Sequence, residues 1–71
     1  MDFSKALEAI KAGKKIKRSY MQPNQYIIYD EIFKDKFALV TLSDKYLFAP
    51  VPYRFTTDDI LADDWKLIED S

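Results

Sequence analysis

Residues 2–18 read DFSKALEAIKAGKKIKR and predict a helix followed by a strand. The apolar residues Phe3, Ala6, Leu7 and Ile10 recur at the i, i+3, i+4 and i+7 spacing of one helical face. Asp2 stands before them as an expected N-cap, and Gly13 follows where a left-handed residue commonly ends a helix. We therefore expect a helix from about residue 3 to about residue 12. The alternation around Ile16, from Lys14 to Ser19, then predicts a half-buried strand.

The central part of the sequence predicts three consecutive strands. A turn at residues 21–24 contains Pro23, which biases the preceding residue away from helix. The Tyr- and Ile-rich run that follows suits a pleated surface, and two short polar breaks divide the later apolar runs. The expected strands are Gln25–Phe33, Phe37–Leu42 and Tyr46–Phe48, with breaks at Lys34-Asp35 and Ser43-Asp44. Pro50 and Pro52 should end the third strand, because proline donates no hydrogen bond to a ladder.

The C-terminal part predicts a second, short helix and a last strand. Thr56 or Thr57 can cap a helix through residues 58–62, whose first turn holds Asp58 and Asp59 at the positive end of the dipole. Trp65 and the alternation through Glu69 indicate a short strand. The predicted fold is a single α+β domain over residues 1–71. It is an antiparallel sheet of four to five strands with an N-terminal helix on one face and a short helix before the last strand.

The composition removes most kinds of catalytic site. The 71 residues include no Cys and no His, so disulfides, thiolate nucleophiles, imidazole bases and ordinary zinc sites are excluded. The single glycine leaves no Gly-rich loop to cradle a phosphate. The carboxylate pairs Asp58-Asp59 and Asp63-Asp64 are explained by helix capping and solubility, since adjacent helical residues do not face each other. We expect no enzyme activity, no cofactor and no metal.

Charge and size indicate the environment and the assembly. A net charge of −1 argues against binding to nucleic acid, although residues 1–30 carry six Lys and Arg against three acids. Charged residues interrupt residues 1–12, which therefore do not predict a signal peptide or a membrane span, and we expect a cytoplasmic protein. Eleven aromatic residues, one Trp, five Tyr and five Phe, exceed what one small core needs. We expect a homodimer or a homotetramer.

A group of arginines and aromatic residues suggests a ligand. Arg18, Tyr20, Tyr53, Arg54 and Phe55 combine guanidinium donors with flat rings, which suits a nucleotide's phosphate and base. The threonines at the start of the second helix and its free N–H groups could bind an anion, and Asp59 could accept a ribose hydroxyl. The structural alternative is that Tyr53 and Phe55 cover the core, that the two arginines are exposed strand residues, and that Asp59 belongs to the helix cap.

The two ends of the chain resemble a known family. Residues 3–18 are similar to its opening pattern of Phe, two residues, Ala-Leu, two residues, an apolar residue, Lys, any residue, Gly and Lys, then a strand ending in Arg. Residues 52–65, PYRFTTDDILADDW, are similar to its closing pattern of Pro-Trp, two residues, Ser, two residues, Asp, an apolar residue, Leu-Ala, any residue and Asp-Trp. The family consists of small phage and prophage proteins that include the Thoeris anti-defence nucleotide sponges. Some anti-CRISPR proteins share the pattern.

The resemblance implies a sponge, which holds a cyclic ADP-ribose-type or cyclic oligonucleotide immune signal in a pocket between subunits without degrading it. By this resemblance Arg18 would bind phosphate and the rings of Tyr20 and Tyr53 would stack on the ligand. Thr56, Thr57 and Asp59 would form hydrogen bonds to it. The protein would act in the cytoplasm of a host bacterium. The expected ligand-binding set is Arg18, Tyr20, Met21, Tyr53, Arg54, Phe55, Thr56, Thr57 and Asp59. Three of these positions depart from the pattern: Met21 and Tyr53 replace Trp, and Thr56 replaces Ser.

The alternative function is a protein-binding inhibitor of a host defence complex, similar to an anti-CRISPR protein. In that case the aromatic-rich sheet or the acidic segment that begins at Asp58 would dock onto the host protein.

Overall fold

A computed structural model describes residues 1–42 and 50–68 of the chain. Its elements are two helices and a five-stranded antiparallel sheet, so the predicted α+β fold is confirmed. Their bounds are α1 Phe3–Lys11, β1 Lys15–Arg18, β2 Gln25–Tyr29, β3 Phe37–Thr41, β4 Val51–Pro52, α2 Thr57–Leu61 and β5 Trp65–Ile68. No helix in the described ranges is both long enough and apolar enough to cross a membrane.

Helix α1 begins and ends at the predicted signals. The side chain of Asp2 accepts a hydrogen bond from the backbone N–H of Lys5 at 2.9 Å, which satisfies one of the free donors of the first turn. Ala12 is the C-cap, and Gly13 follows with a φ of +94°, a conformation that side-chain-bearing residues rarely adopt. The predicted N-cap and the predicted stop are both confirmed.

The sheet runs in the order β4-β3-β2-β1-β5, which places the strand that follows α1 beside the last strand of the chain. Ile16 lies opposite both Ile27 on β2 and Leu67 on β5, and Arg18 lies opposite Trp65. Because side chains alternate along a strand, these residues share one face. Helix α1 covers this face, and the buried cluster there consists of Ala6, Ile10, Ile16, Ile27 and Trp65. Arg18 therefore shares its face of the sheet with the core.

The predicted extent of the second strand is wrong. Strand β2 ends at Tyr29, and a loop over residues 30–36 replaces the expected two-residue break at 34–35. The side chain of Asp30 accepts a hydrogen bond from the N–H of Ile32 at 3.1 Å, and its carbonyl accepts one from the N–H of Phe33 at 3.2 Å. These local bonds compete with the ladder, and Ile32 is exposed to solvent instead of continuing the strand.

The short strand β4 was not predicted, because Pro50 and Pro52 were expected to end the strand before it. Strand β4 pairs with β3 and places Pro52 opposite Ala38. The strand lies at the edge of the sheet, where the missing N–H of proline is tolerated, and the next N–H, of Tyr53, donates to the carbonyl of Phe37 at 2.9 Å. The last strand predicted from Trp65 is confirmed as β5. The strand expected at residues 46–48, the break at 43–44 and the last expected strand residue, Glu69, lie outside the described residues.

Candidate functional site

The site begins at the N-terminus of α2, where Thr56 and Asp59 form a capping box. The Thr56 hydroxyl accepts a hydrogen bond from the Asp59 N–H at 3.2 Å, and an Asp59 carboxylate oxygen accepts one from the Thr56 N–H at 3.0 Å. Of the two candidate threonines, Thr56 is therefore the cap and Thr57 is the exposed first residue of the helix. These two backbone N–H groups already have acceptors within the chain.

Asp59 is almost completely buried, with 2% of the residue exposed, and it holds several donors together. One carboxylate oxygen accepts from Arg18 at 2.6 Å, and the other accepts from the Tyr53 hydroxyl at 2.6 Å as well as from Thr56. Its backbone carbonyl accepts from the indole N–H of Trp65 at 2.9 Å. Asp59 thus joins β1, the segment before α2 and β5.

Arg18 lies between two carboxylates and two rings. Its Nε donates to Asp64 at 2.5 Å and one terminal nitrogen donates to Asp59, while its side chain is 13% exposed. Its guanidinium carbon lies 5.0 Å from the centre of the Tyr20 ring and 5.7 Å from the centre of the Trp65 ring. These are cation–π distances, so Arg18 is held by charge and by stacking at once.

The charge states follow from these contacts. Burial alone would raise the pKa of Asp59, but hydrogen bonds from Tyr53, from the Thr56 backbone and from Arg18 outweigh it and lower that pKa. Hydrogen bonds from Ser19 and Arg18 lower the pKa of Asp64. The bond to Asp64, together with Asp59, raises the pKa of Arg18 against the opposing effect of burial. At neutral pH the cluster therefore holds one cation and two carboxylates.

Tyr53 is held as a neutral donor. Burial makes the largest contribution to the raised pKa of Tyr53. The hydrogen bond to the Asp59 carboxylate, the negative charge of that carboxylate and the neighbouring Tyr20 raise the pKa further. Since the phenol keeps its proton, it donates to the carboxylate at all physiological pH values.

The predicted ligand-binding residues divide into a cluster and several separate residues. The structure brings together Arg18, Tyr20, Tyr53, Thr56 and Asp59 through the contacts above. Phe55 lies in the core, where its ring meets those of Phe3, Phe37, Tyr53 and Trp65 at centre distances of 5.0, 4.8, 5.5 and 5.7 Å. Met21 packs against the same core, while the exposed Arg54 lies 3.6 Å from Asp35 in the 30–36 loop. Phe55 thus follows the structural alternative, in which it covers the core.

Two residues of the site were missed from the sequence. The carboxylate of Asp64 accepts from Arg18 and from the Ser19 hydroxyl, both at 2.5 Å, although the sequence suggested only a role in solubility. No local signal in the sequence indicates these contacts. They follow from the pairing of β1 with β5, which sets Arg18 opposite Trp65 and brings their neighbours Ser19 and Asp64 side by side.

An open groove of about 410 Å³ adjoins the cluster. It is lined by Arg18, Asp58, Leu61, Ala62, Asp63 and Asp64. Three carboxylates and one guanidinium face it, so the groove is acidic. Within residues 1–42 and 50–68, no group of three or more His, Cys, Asp or Glu side chains is placed to hold a metal ion.

A comparison with family models matches nearly the whole chain. A model described as Tad2-like, the Thoeris anti-defense 2-like domain, covers residues 1–68. The chain belongs to the Tad2-like family. The resemblance expected from the two end motifs is thereby confirmed, and the membership supports a role in Thoeris anti-defence. No curated protein sequence matches the chain.

In this Tad2-like domain the two motifs that carry the resemblance bind each other. Arg18 of the opening motif pairs with Asp59 and Asp64 of the closing motif. Phe3 of the opening motif contacts the rings of Phe55 and Trp65, at centre distances of 5.0 and 6.0 Å. The motif residues therefore hold the ends of the domain together and leave the Tyr20 ring beside them open to solvent.

Proposed function

We propose that this Tad2-like domain is a nucleotide sponge, which binds an immune signal and sequesters it without degrading it. The signal would be a cyclic ADP-ribose-type molecule or a cyclic oligonucleotide, held where two subunits meet. The observation that carries the proposal is the Tyr20 ring. It is 66% exposed, and Arg18 lies 5.0 Å from its centre.

An aromatic ring in this position offers one face to a base. Base stacking on a protein ring contributes roughly 1–3 kcal/mol per base, and every base has a face suited to it. Arg18 lies over the Tyr20 ring and places a positive charge near a stacked ligand, while Tyr53 is fixed by its bond to Asp59. Tyr20 would therefore make the contact that selects a nucleotide, with Arg18 and Tyr53 beside it.

Sequestration requires affinity and abundance and needs no chemical step. A sponge works when the protein outnumbers the signal and its Kd lies below the concentration at which the host effector responds. The charged groups of the cluster are already paired with one another, which suits a rigid binding surface better than proton transfer. We accordingly propose binding without turnover by a homodimer or a homotetramer.

The proposal is tested by ligand capture with Tyr20 variants. The wild-type protein is screened by thermal shift against cyclic dinucleotides, cyclic oligonucleotides and ADP-ribose isomers, and each hit is released by denaturation and weighed by mass spectrometry. We expect an intact ligand, whose affinity falls roughly tenfold or more in Tyr20→Ala and is kept in Tyr20→Phe, because the ring supplies the stacking. Tyr29→Ala is the matched control, since Tyr29 is also an exposed tyrosine but stacks edge-on against Phe37.

Two results would reject the sponge. One is recovery of a cleaved ligand, which would indicate an enzyme. The other is the absence of any captured ligand across the panel. A hit whose affinity is the same in Tyr20→Ala and in Tyr29→Ala would keep the sponge and reject Tyr20 as its stacking ring. Arg18→Ala is a poor test of binding, because it would leave the buried Asp59 carboxylate without its cation and would destabilise the domain.

A second candidate function is supported by the outer face of α2. Ile60 and Leu61 are exposed there, and Asp58 and Asp63 flank them. An apolar patch with an acidic rim suits a protein-binding inhibitor that docks on a basic host protein. Such a protein would give no thermal shift with any nucleotide, and a Leu61→Glu variant would lose a co-purifying partner.

A further inference from the structure

The two carboxylates that pair with Arg18 differ in how easily they can be replaced. Asp59 is 2% exposed and is also bound to Tyr53 and Thr56. Asp64 is 35% exposed and lies in residues 62–64, which join α2 to β5 without forming a helix or strand. A ligand can displace Asp64 into solvent and still leave Arg18 paired with Asp59.

The donors that hold Asp64 are arranged to bind an anion. Nε of Arg18 and Oγ of Ser19 come from adjacent residues, and each donates to a different oxygen of the same carboxylate at 2.5 Å. A phosphate group presents a pair of oxygens at a similar spacing, and arginine binds carboxylate and phosphate by the same geometry. The groove of about 410 Å³ opens beside this pair of donors.

We propose that Arg18 Nε and Ser19 Oγ form a subsite for one phosphate group, which Asp64 occupies as an internal competitor in the free protein. The inference rests on the proposed function, because it names how the same cluster would take the phosphate of a nucleotide signal. An anion must then displace the Asp64 carboxylate in order to bind, so anions with low affinity for this subsite do not bind.

The rest of the groove determines which anions fit. Asp58 and Asp63 line it as well, so a second phosphate further along would meet like charge. The subsite therefore favours a compact ligand with its charge concentrated near Arg18 and disfavours a strand with phosphates in series. A base beside that phosphate would lie near the exposed Tyr20 ring, which contacts the same guanidinium.

The test compares Asp64→Asn with Asp63→Asn, titrated with inorganic phosphate and with pyrophosphate. Both variants remove one negative charge from the same groove, but only Asp64 contacts Arg18 and Ser19. Binding is followed by the NMR resonance of the Arg18 Nε–H. We expect phosphate affinity to rise about tenfold in Asp64→Asn, because a charge-assisted competitor is lost, and to change by less than about threefold in Asp63→Asn. Ser19→Ala in the Asp64→Asn background should reverse most of the gain.

An equal rise in phosphate affinity in Asp64→Asn and Asp63→Asn would overturn the subsite, because the rise would then reflect only the change in net charge. An Arg18 Nε–H resonance that does not move with phosphate would overturn it as well. If Asp64→Asn does not fold, Asp64→Ser and a pyrophosphate titration of the wild-type protein replace it. In the wild-type protein, the carboxylate resonance of Asp64 must shift together with that of Arg18 Nε–H.

The outcomes also separate this inference from the sponge. Capture of an intact nucleotide by the wild-type protein with unchanged affinity in Asp64→Asn would reject the subsite and keep the sponge. A tenfold gain for phosphate in Asp64→Asn, without any nucleotide captured by the wild-type protein, would keep the subsite and reject the sponge.

Discussion

Replacing Arg18 with methionine should remove a large part of the stability of the domain. Methionine keeps an apolar stem between the Tyr20 and Trp65 rings, so the main loss is the charge on the guanidinium. Asp59 would then be a buried carboxylate without a cation. Breaking a buried pair in this way commonly costs about 3–5 kcal/mol.

The expected loss lies below that range. Arg18 is 13% exposed, so solvent screens part of the interaction, and Asp59 keeps its hydrogen bonds from Tyr53 and Thr56. We expect Arg18→Met to lower the free energy of unfolding by about 2–3 kcal/mol. A domain of this size has roughly 4–11 kcal/mol in total, so the Tm should fall by roughly 10–20 °C.

A double-mutant cycle measured by urea unfolding identifies the cause. Asp59→Asn should destabilise the wild-type protein, because it takes a carboxylate from Arg18. In the Arg18→Met background it should be neutral or stabilising, because it removes the unpaired charge. Asp58→Asn, on the exposed residue beside it, is the control and should have the same small effect in both backgrounds.

The reasoning is refuted if the cycle is additive. An effect of Asp59→Asn that agrees within about 0.5 kcal/mol in the two backgrounds would mean that the ion pair adds nothing to stability. The arrangement of Arg18 would then be attributed to its packing between the rings.

Two further predictions concern acid and the end of α1. Because the pKa of Asp59 is lower in the folded state, its contribution is present above its unfolded value of about 3.9 and is lost as the pH falls through the folded value. Unfolding free energies measured between about pH 5 and pH 3 should therefore fall more steeply in the wild-type protein than in Asp59→Asn; equal slopes would contradict this. Gly13→Ala should lower the free energy of unfolding by about 1 kcal/mol. The loss comes from the positive φ alone, because the added Cβ would meet nothing within 4 Å. Gly13→Asn should recover part of this loss, because asparagine adopts a positive φ more readily. A Gly13→Ala protein as stable as the wild type in urea would show that the turn adapts.

Local signals in the sequence were sufficient for much of the fold. Helix α1 has its cap, its apolar face and its stop within twelve residues, and the structure shows Asp2 and Gly13 in those roles. The loop at residues 30–36 was not predicted because Ile32 and Phe33 are apolar and extend the apolar pattern of the strand. In the structure Asp30 accepts hydrogen bonds from the backbone N–H groups of these two residues, and the ladder ends there. The strand at Val51–Pro52 was not predicted because a proline is accepted in a strand at the edge of a sheet, and which strand lies at the edge depends on the strand order.

The contacts within the candidate site depend on strand pairing, which local sequence signals do not predict. The sequence identified Arg18, Tyr53 and Asp59 by residue type, and it offered the helix cap as one role for Asp59. Its pairing with Arg18 across 41 positions follows from the pairing of β1 with β5 and from the place of α2 before β5. The same pairing brings Asp64 to Arg18, and no spacing within either motif indicates that contact.

In this chain the residues that identify the family close the domain, and the exposed ring that is proposed to stack on the ligand lies outside their pattern. Arg18, Asp59 and Trp65 bind one another, so a match to their pattern reports how the ends of the domain are closed. Met21 stands where the pattern has tryptophan, but it packs against the core, and the ring open to solvent is that of Tyr20. Under the proposed function, a change at Tyr20 would therefore alter the choice of ligand and leave the pairing of Arg18 with Asp59 and Asp64 in place.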